Sequence, residues 1–148
     1  RLEAKAIIDG YFENFPRVMD FIEECKQKVR ETGYAVTIMG RRRYLPDINS
    51  NNGTVRAFAE RNAVNAPIQG SAADIMKLAM VHVYQRLKRE NLKTKMLLQV
   101  HDELIFSVPT EEKGRVGDIV KEEMENACHL AVPLLAEGGW GKNWLEAH

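Results

Sequence analysis

The chain has 148 residues, 45% of them hydrophobic and 28% charged, which is enough for one core of ordinary size and excludes a disordered polypeptide. It contains no apolar run near the ~18 residues of a membrane span, and its formal net charge of zero excludes a uniformly basic nucleic-acid binder. The charge is uneven, however: residues 1–108 carry 17 Lys+Arg against 13 Asp+Glu, whereas residues 109–148 carry 4 against 8.

The N-terminal Arg1-Leu2-Glu3-Ala4-Lys5 has neither an initiator Met nor a signal-peptide pattern, and the chain reads as an excised piece that starts mid-helix. Residues 3–14 are expected to be helical, with Leu2, Ala6, Ile8 and Phe12 near helical spacing, until Phe15-Pro16 breaks the pattern. A second helix is expected over 17–31, where Val18, Phe21/Ile22, Cys25 and Val29 form one stripe. Thr32-Gly33 closes it, glycine being tolerant of the left-handed cap. Tyr34–Met39 and Arg41–Leu45 read as strands of a hairpin about Gly40. A polar loop over 46–53 follows, then a helix near 54–65. Pro67 marks a kink or the first turn of a new helix.

The longest helical pattern covers 68–90, with Ile68, Ala72, Ile75/Met76, Ala79, Val83 and Leu87 as its apolar face. Two short apolar runs, 96–100 and 104–108, flank His101-Asp102-Glu103 and read as a β-hairpin. A helix is expected from Pro109-Thr110 onward, with Thr110 as N-cap and a stripe of Val116, Ile119/Val120, Met124 and Cys128. Val132–Ala136 reads as a last strand. Cys25 and Cys128, far apart and on apolar positions, read as buried free thiols of a reducing compartment. The Asn52-Gly53-Thr54 sequon has no secretory context and is set aside. The order of elements implies an α+β fold with an antiparallel sheet.

The most informative stretch is Leu97-Leu98-Gln99-Val100-His101-Asp102-Glu103-Leu104-Ile105-Phe106, where two adjacent acids interrupt an apolar strand pair. Carboxylates raised on stiff strands suit a hard cation such as Mg²⁺. They equally suit a solvated turn, and spacing alone leaves both readings open. Side chains alternate along a strand, so one acid would be the principal ligand and the other secondary. The remaining aspartates, Asp9, Asp20, Asp47, Asp74 and Asp118, sit in structural contexts, so a further ligand is expected outside these residues. Arg61, Asn65 and Gln69 recur every four residues and share one helix face. His82, His129, His148, Trp140 and Trp144 read as structural or surface residues.

Gln99-Val100-His101-Asp102-Glu103-Leu104 resembles the motif that carries one catalytic aspartate in the DNA polymerase I family, family A of the DNA polymerases. Gly40-Arg41-Arg42-Arg43-Tyr44-Leu45-Pro46-Asp47-Ile48, Ala59-Glu60-Arg61, and Asn65 through Ile75 are similar to the family's segments before and along its long palm helix. Val132-Pro133-Leu134, Asn143-Trp144 and Ala147-His148 are similar to its C-terminus, so the resemblance covers essentially the whole chain. It implies an antiparallel palm-type sheet with a long helix packed on it, preceded by N-terminal helices and a hairpin from the fingers side. Residues 1–50 would belong to the distal fingers side and 51–148 to the C-terminal palm.

The resemblance also implies template-directed transfer of nucleotides from dNTPs to a primer 3′-hydroxyl, in DNA replication and repair, by two Mg²⁺ ions. Asp102 would hold the ions together with an aspartate outside this chain, and Glu103 would support it. Arg61, Asn65, Gln69 and His101 would face the primer terminus and template. Arg41, Arg42 and Arg43 would contact phosphates, or else only solubilise their hairpin. The implied partners are primer-template DNA and dNTP, with no membrane, in the cytoplasm at the nucleoid. Self-association of the piece through an open sheet edge is a further expectation. The second catalytic aspartate and the nucleotide-gripping fingers helix do not occur in the sequence, so these 148 residues alone are expected to be inactive. Two competing readings are a non-catalytic nucleic-acid module of palm shape and a metal-dependent nuclease or phosphatase using Asp102 and Glu103.

Overall fold

The computed structural model describes residues 2–147, with side chains from Ala4 onward. Arg1 and His148, and the side chain of the expected stripe residue Leu2, lie outside the described residues. The fold is helix-rich α+β, with two small antiparallel sheets. The chain forms two compact units, residues 1–71 and 72–148.

In the first unit, helix α1 (Leu2–Asn14) ends where Phe15 precedes Pro16, and Pro16 opens α2 (Pro16–Thr32). Proline suits that position because its missing N–H would have no helical acceptor there. The left-handed Gly33 (φ +80°) then stops α2, donating its N–H to the Val29 carbonyl at 2.8 Å. Strands β1 (Tyr34–Val36) and β2 (Arg42–Tyr44) pair antiparallel, with Tyr34 opposite Tyr44 and Val36 opposite Arg42. Gly40 at φ +82° completes the connection through Ile38-Met39-Gly40. The polar loop expected after Leu45 contains a 3₁₀ turn over Pro46–Asn49, which buries Ile48.

One helix, α3 (Gly53–Arg89), replaces the two expected on either side of Pro67. The Asn52 side chain caps it, its Oδ1 accepting the Thr54 N–H at 3.0 Å. An interior proline deletes one helical hydrogen bond and costs ~3 kcal/mol or more. Packing offsets this loss, because Ala59, Ala63 and Ala66 enter a core with Val29, Ala35, Leu45 and Ile48. The buried face therefore differs from the expected one at its start: Ile68 and Ala72 are exposed.

In the second unit, α3 ends in a complete Schellman motif. Asn91 takes φ +54°, Leu92 N–H bonds to Leu87 O at 3.1 Å, and Asn91 N–H bonds to Lys88 O at 3.1 Å. Strands β3 (Lys95–Val100) and β4 (Glu103–Ser107) form an antiparallel hairpin with a register shift between Met96 and Leu98. Val83 and Leu87 of α3, Met96 and Phe106 of the hairpin, and Val116 and Ile119 of helix α4 (Lys113–Glu125) share one core. A long helix thus packs on an antiparallel sheet, as expected from the resemblance.

Three local expectations fail. Thr110 caps nothing with its side chain and instead lies in a 3₁₀ turn, Thr110–Glu112, before α4. Cys128 lies beyond the end of α4, and both thiols are free and half-buried rather than buried. Residues 132–136 form no strand, because no neighbouring strand pairs with them among the described residues. The tail is instead held by side chains. Glu125 accepts the Ala136 N–H at 3.0 Å, Lys113 lies 5.1 Å from the Trp140 ring centroid, and Asn143 and Glu146 bond around the start of α5 (Trp144–Ala147).

Glu90 at the end of α3 is gripped by Arg115 and Arg86, with Nε–Oε distances of 2.6 Å each. The Arg115 and Arg86 hydrogen bonds lower its carboxyl from 4.5 to about 2. A carboxyl that is more acidic in the folded state adds stability above its ordinary value and loses it as protons return. Relative to the wild type, Glu90→Gln should therefore lower the thermal midpoint at pH 7, with the gap closing as pH falls from about 4.5 toward 2. Thermal melts across that range check this; a gap independent of pH would contradict it.

Candidate nucleic-acid and metal-binding surfaces

The β3–β4 connection is tighter than expected. Val100 pairs with Glu103, so only His101 and Asp102 form the turn, and Glu103 is the first residue of β4. A two-residue turn between twisted strands requires a positive φ, and His101 supplies it at +52°. For an L-residue this conformation costs roughly 1–2 kcal/mol. Gln99 offsets part of that cost by donating from Nε2 to the His101 carbonyl at 2.7 Å.

The consequence is an exposed Asp102 at the apex of a rigid hairpin, while Glu103 beside it is half-buried. Among the described residues Asp102 enters no hydrogen bond or ion pair, so its carboxylate oxygens remain available. No group of three or more His, Cys, Asp or Glu side chains that could hold a metal occurs among the described residues. Asp102 and Glu103 therefore fit a divalent cation as part of a ligand set, with at least one more oxygen donor required from elsewhere.

In the first unit, Arg61, Asn65 and Gln69 are all exposed on α3, on the side away from buried Ala59, Ala63 and Ala66. Pro67 leaves the row intact because the helix continues through it. Two apolar residues lie exposed along the same stretch: Phe58, not singled out in the sequence, at 61% exposure with the Arg61 guanidinium 5.8 Å from its ring centroid, and Ile68, expected on the apolar face, at 57%. Helical spacing from Arg61 could have found both. Arg41, Arg42 and Arg43 are exposed on the β1–β2 hairpin. Arg42 lies over the Tyr34 ring at 4.7 Å, whereas Arg43, opposite Ala35, faces the other side.

Turn strain at His101 is measurable. Replacing His101 with the β-branched Val should destabilise the protein by about 1–2 kcal/mol beyond any effect of His101→Gly, because only glycine escapes the positive-φ penalty. Denaturant titration of the two variants checks this; equal midpoints would remove the strain argument.

Comparison with known proteins places these surfaces in a family. The profile of DNA polymerase family A matches residues 1–146. DNA polymerase I of Caldicellulosiruptor bescii is 53% identical over 146 residues, covering 99% of this chain and 17% of that protein. The same enzyme of Bacillus caldotenax is 51% identical, and that of Streptococcus pneumoniae 50%, each over 147 residues with the same coverage. The chain thus spans about one sixth of the length of these relatives. Among solved structures, the POL domain of Pol1 from M. smegmatis, in complex with DNA primer-template and dNTP, superposes with a TM-score of 0.96 at 48% identity, covering 98% of this chain and 26% of that one. The chain belongs to DNA polymerase family A.

Proposed function

We propose that the protein carrying this chain is a DNA-directed DNA polymerase that extends a primer on a template from dNTPs, and that residues 1–50 lie on its fingers side and 51–148 in its palm. The observation that carries this reading is the exposed, uncommitted Asp102 at the apex of a two-residue turn, in a chain similar throughout to a POL domain described with primer-template and dNTP.

Asp102 would be the principal oxygen ligand of this segment and Glu103 a supporting one, with an aspartate elsewhere in the protein completing the set. Two divalent ions, when bound, supply activation of the primer 3′-hydroxyl and neutralisation of charge on the transferred phosphoryl and leaving pyrophosphate. The chain's own contribution is positioning. The hairpin presents Asp102 at its apex, and the Gln99 side chain, bonded to the His101 carbonyl, holds the turn against the cost of the positive φ at His101. Arg61, Asn65 and Gln69 present hydrogen-bond donors in a row. Purine N3 and pyrimidine O2 offer acceptors in the minor groove of every base pair, so such a row can test pair shape without reading sequence. His101 would stand beside the same terminus, and Arg41–Arg43 would meet backbone phosphates. Absence of the second aspartate and the fingers helix from the 148 residues supports the view that they do not synthesise DNA alone.

In the full-length polymerase, Asp102→Ala should reduce primer extension by at least about 10²–10³-fold while leaving primer-template affinity nearly unchanged. Gln69→Ala should instead weaken extension selectively at the primer terminus, most at mismatched ends. Extension assays beside equilibrium binding test both. Undiminished extension by the Asp102 variant would sink its role as a metal ligand, and failure of the wild-type protein to extend a primer would sink the polymerase reading.

A further inference from the structure

The first unit contains a connection that neither the donor row nor the arginine hairpin explains alone. The Ile38 N–H, at the tip of the β1–β2 hairpin, donates to the Ser71 hydroxyl at 2.9 Å, a link across 33 residues of sequence. The Ser71 hydroxyl in turn donates to the Pro67 carbonyl. A hydroxyl has one proton to give, so accepting from Ile38 and donating to Pro67 fixes its orientation. The bond falls on the turn of α3 that follows Pro67, next to the one the proline weakens by withholding its N–H from the Ala63 carbonyl.

A second contact lies next to the first. A Cβ added at Gly70 would stand 2.6 Å from the Thr37 Cγ2, so the hairpin approaches the helix more closely than any side chain at 70 permits. Thr37 is buried and stiff at χ1, and turning its Cγ2 aside would break the bond its Oγ1 accepts from the Arg41 N–H. Thr37 also organises the tip. Its N–H bonds to Arg41 O at 2.9 Å, its carbonyl accepts from Gly40 N–H at 2.9 Å, and its Oγ1 accepts from Arg41 N–H at 3.1 Å. The residue docked on the helix is therefore the one that fixes the backbone of Arg41, and β2 continues directly from it through Arg42 and Arg43.

We infer that Ser71 is a positioning residue for DNA binding: with Gly70 beneath it, it latches the Thr37–Arg41 tip to α3 next to Gln69 and so fixes the hairpin that carries Arg42 and Arg43 on its two faces toward the phosphates of primer-template DNA. This rests on the polymerase reading given above. Neither Ser71 nor Gly70 touches the nucleic acid in this scheme; both act through the hairpin.

The test uses the full-length polymerase and measures primer-template affinity against salt, with hydrogen exchange at the Ile38 amide as a separate readout. Ser71→Ala should expose the Ile38 amide to exchange and weaken binding by about two- to tenfold. It should also lower the slope of log affinity on log salt by about 0.9 for each phosphate that is no longer neutralised. Ser71→Thr, which keeps the hydroxyl, should restore both slope and protection. Gly70→Ala, which keeps the hydroxyl but lifts the hairpin, should lower the slope as Ser71→Ala does. Replacing Arg41, Arg42 and Arg43 together should lower the slope without exposing the Ile38 amide. If the arginine variant lowers the slope and the Ser71 and Gly70 variants do not, the latch is wrong. If the arginine variant leaves the slope unchanged, the phosphate role of the hairpin is wrong, whatever the amide reports. A wild-type protein that binds no primer-template would overturn the polymerase reading itself.

Discussion

Helix α3 runs unbroken through Pro67, and the core of the first unit depends on its doing so. Before the proline its buried residues are alanines, which let Val29, Ala35 and Ile48 come close to the helix axis. Beyond it the buried residues include Ser71 and Asp74 as well as Met76, Ala79, Val83 and Leu87, of which Val83 and Leu87 meet α4 and the β3–β4 hairpin. Proline withdraws one hydrogen bond in the middle of this arrangement, and tertiary contacts on the flanking turns hold the helix together. A break there would take Ala66 out of the first core and free the turn that carries Gln69.

The exposed face of the same helix can carry a spaced row of donors because the opposite face is so thoroughly committed. Arg61, Asn65 and Gln69 need no structural partner to stay in register; the buried alanines fix the register for them. The hairpin bearing Asp102 follows a similar division of labour. Phe106 and Met96 anchor its strands in the second core, and the acid stands at the end, clear of packing demands. Rigid elements positioning solvent-facing polar groups are what a reaction governed by placement and charge neutralisation requires.

Much of this was legible in the sequence because each signal was local. Apolar spacing revealed α2, Gly33 marked its end, and Gly40 marked the first hairpin. The features that eluded reading depend on distant partners. Pro67 looks like a boundary until Ala63 and Ala66 are seen packed in a core. Residues 132–136 have strand composition, yet a strand exists only where another pairs with it, and here none does among the described residues. Thr110 looked like a cap, whereas the group that organises that corner is Glu112, reaching back 19 residues to Lys93. For the candidate site, spacing indicated which residues share a face, but roles for Asp102, Arg61 and Gln69 came from family resemblance rather than from physics. The run of small side chains Gly70-Ser71-Ala72-Ala73 is legible as a place where another backbone can approach closely, but nothing in the sequence names Ile38 as the partner of Ser71.

The Glu112 carboxylate has a mechanical consequence. It accepts the Lys93 N–H at 2.8 Å, the Thr94 N–H at 3.0 Å and the Thr94 hydroxyl at 2.7 Å. These bonds clamp the segment entering β3 to the segment leaving β4, so the hairpin behaves as a cantilever with a fixed root. Its free tip cannot swivel about that root. Any excursion of the apex must come from flexure along the beam, and the irregular pairing between Met96 and Leu98 is where the beam is thinnest. Stiffness at that irregularity, far from the acid itself, thus sets how widely Asp102 can wander.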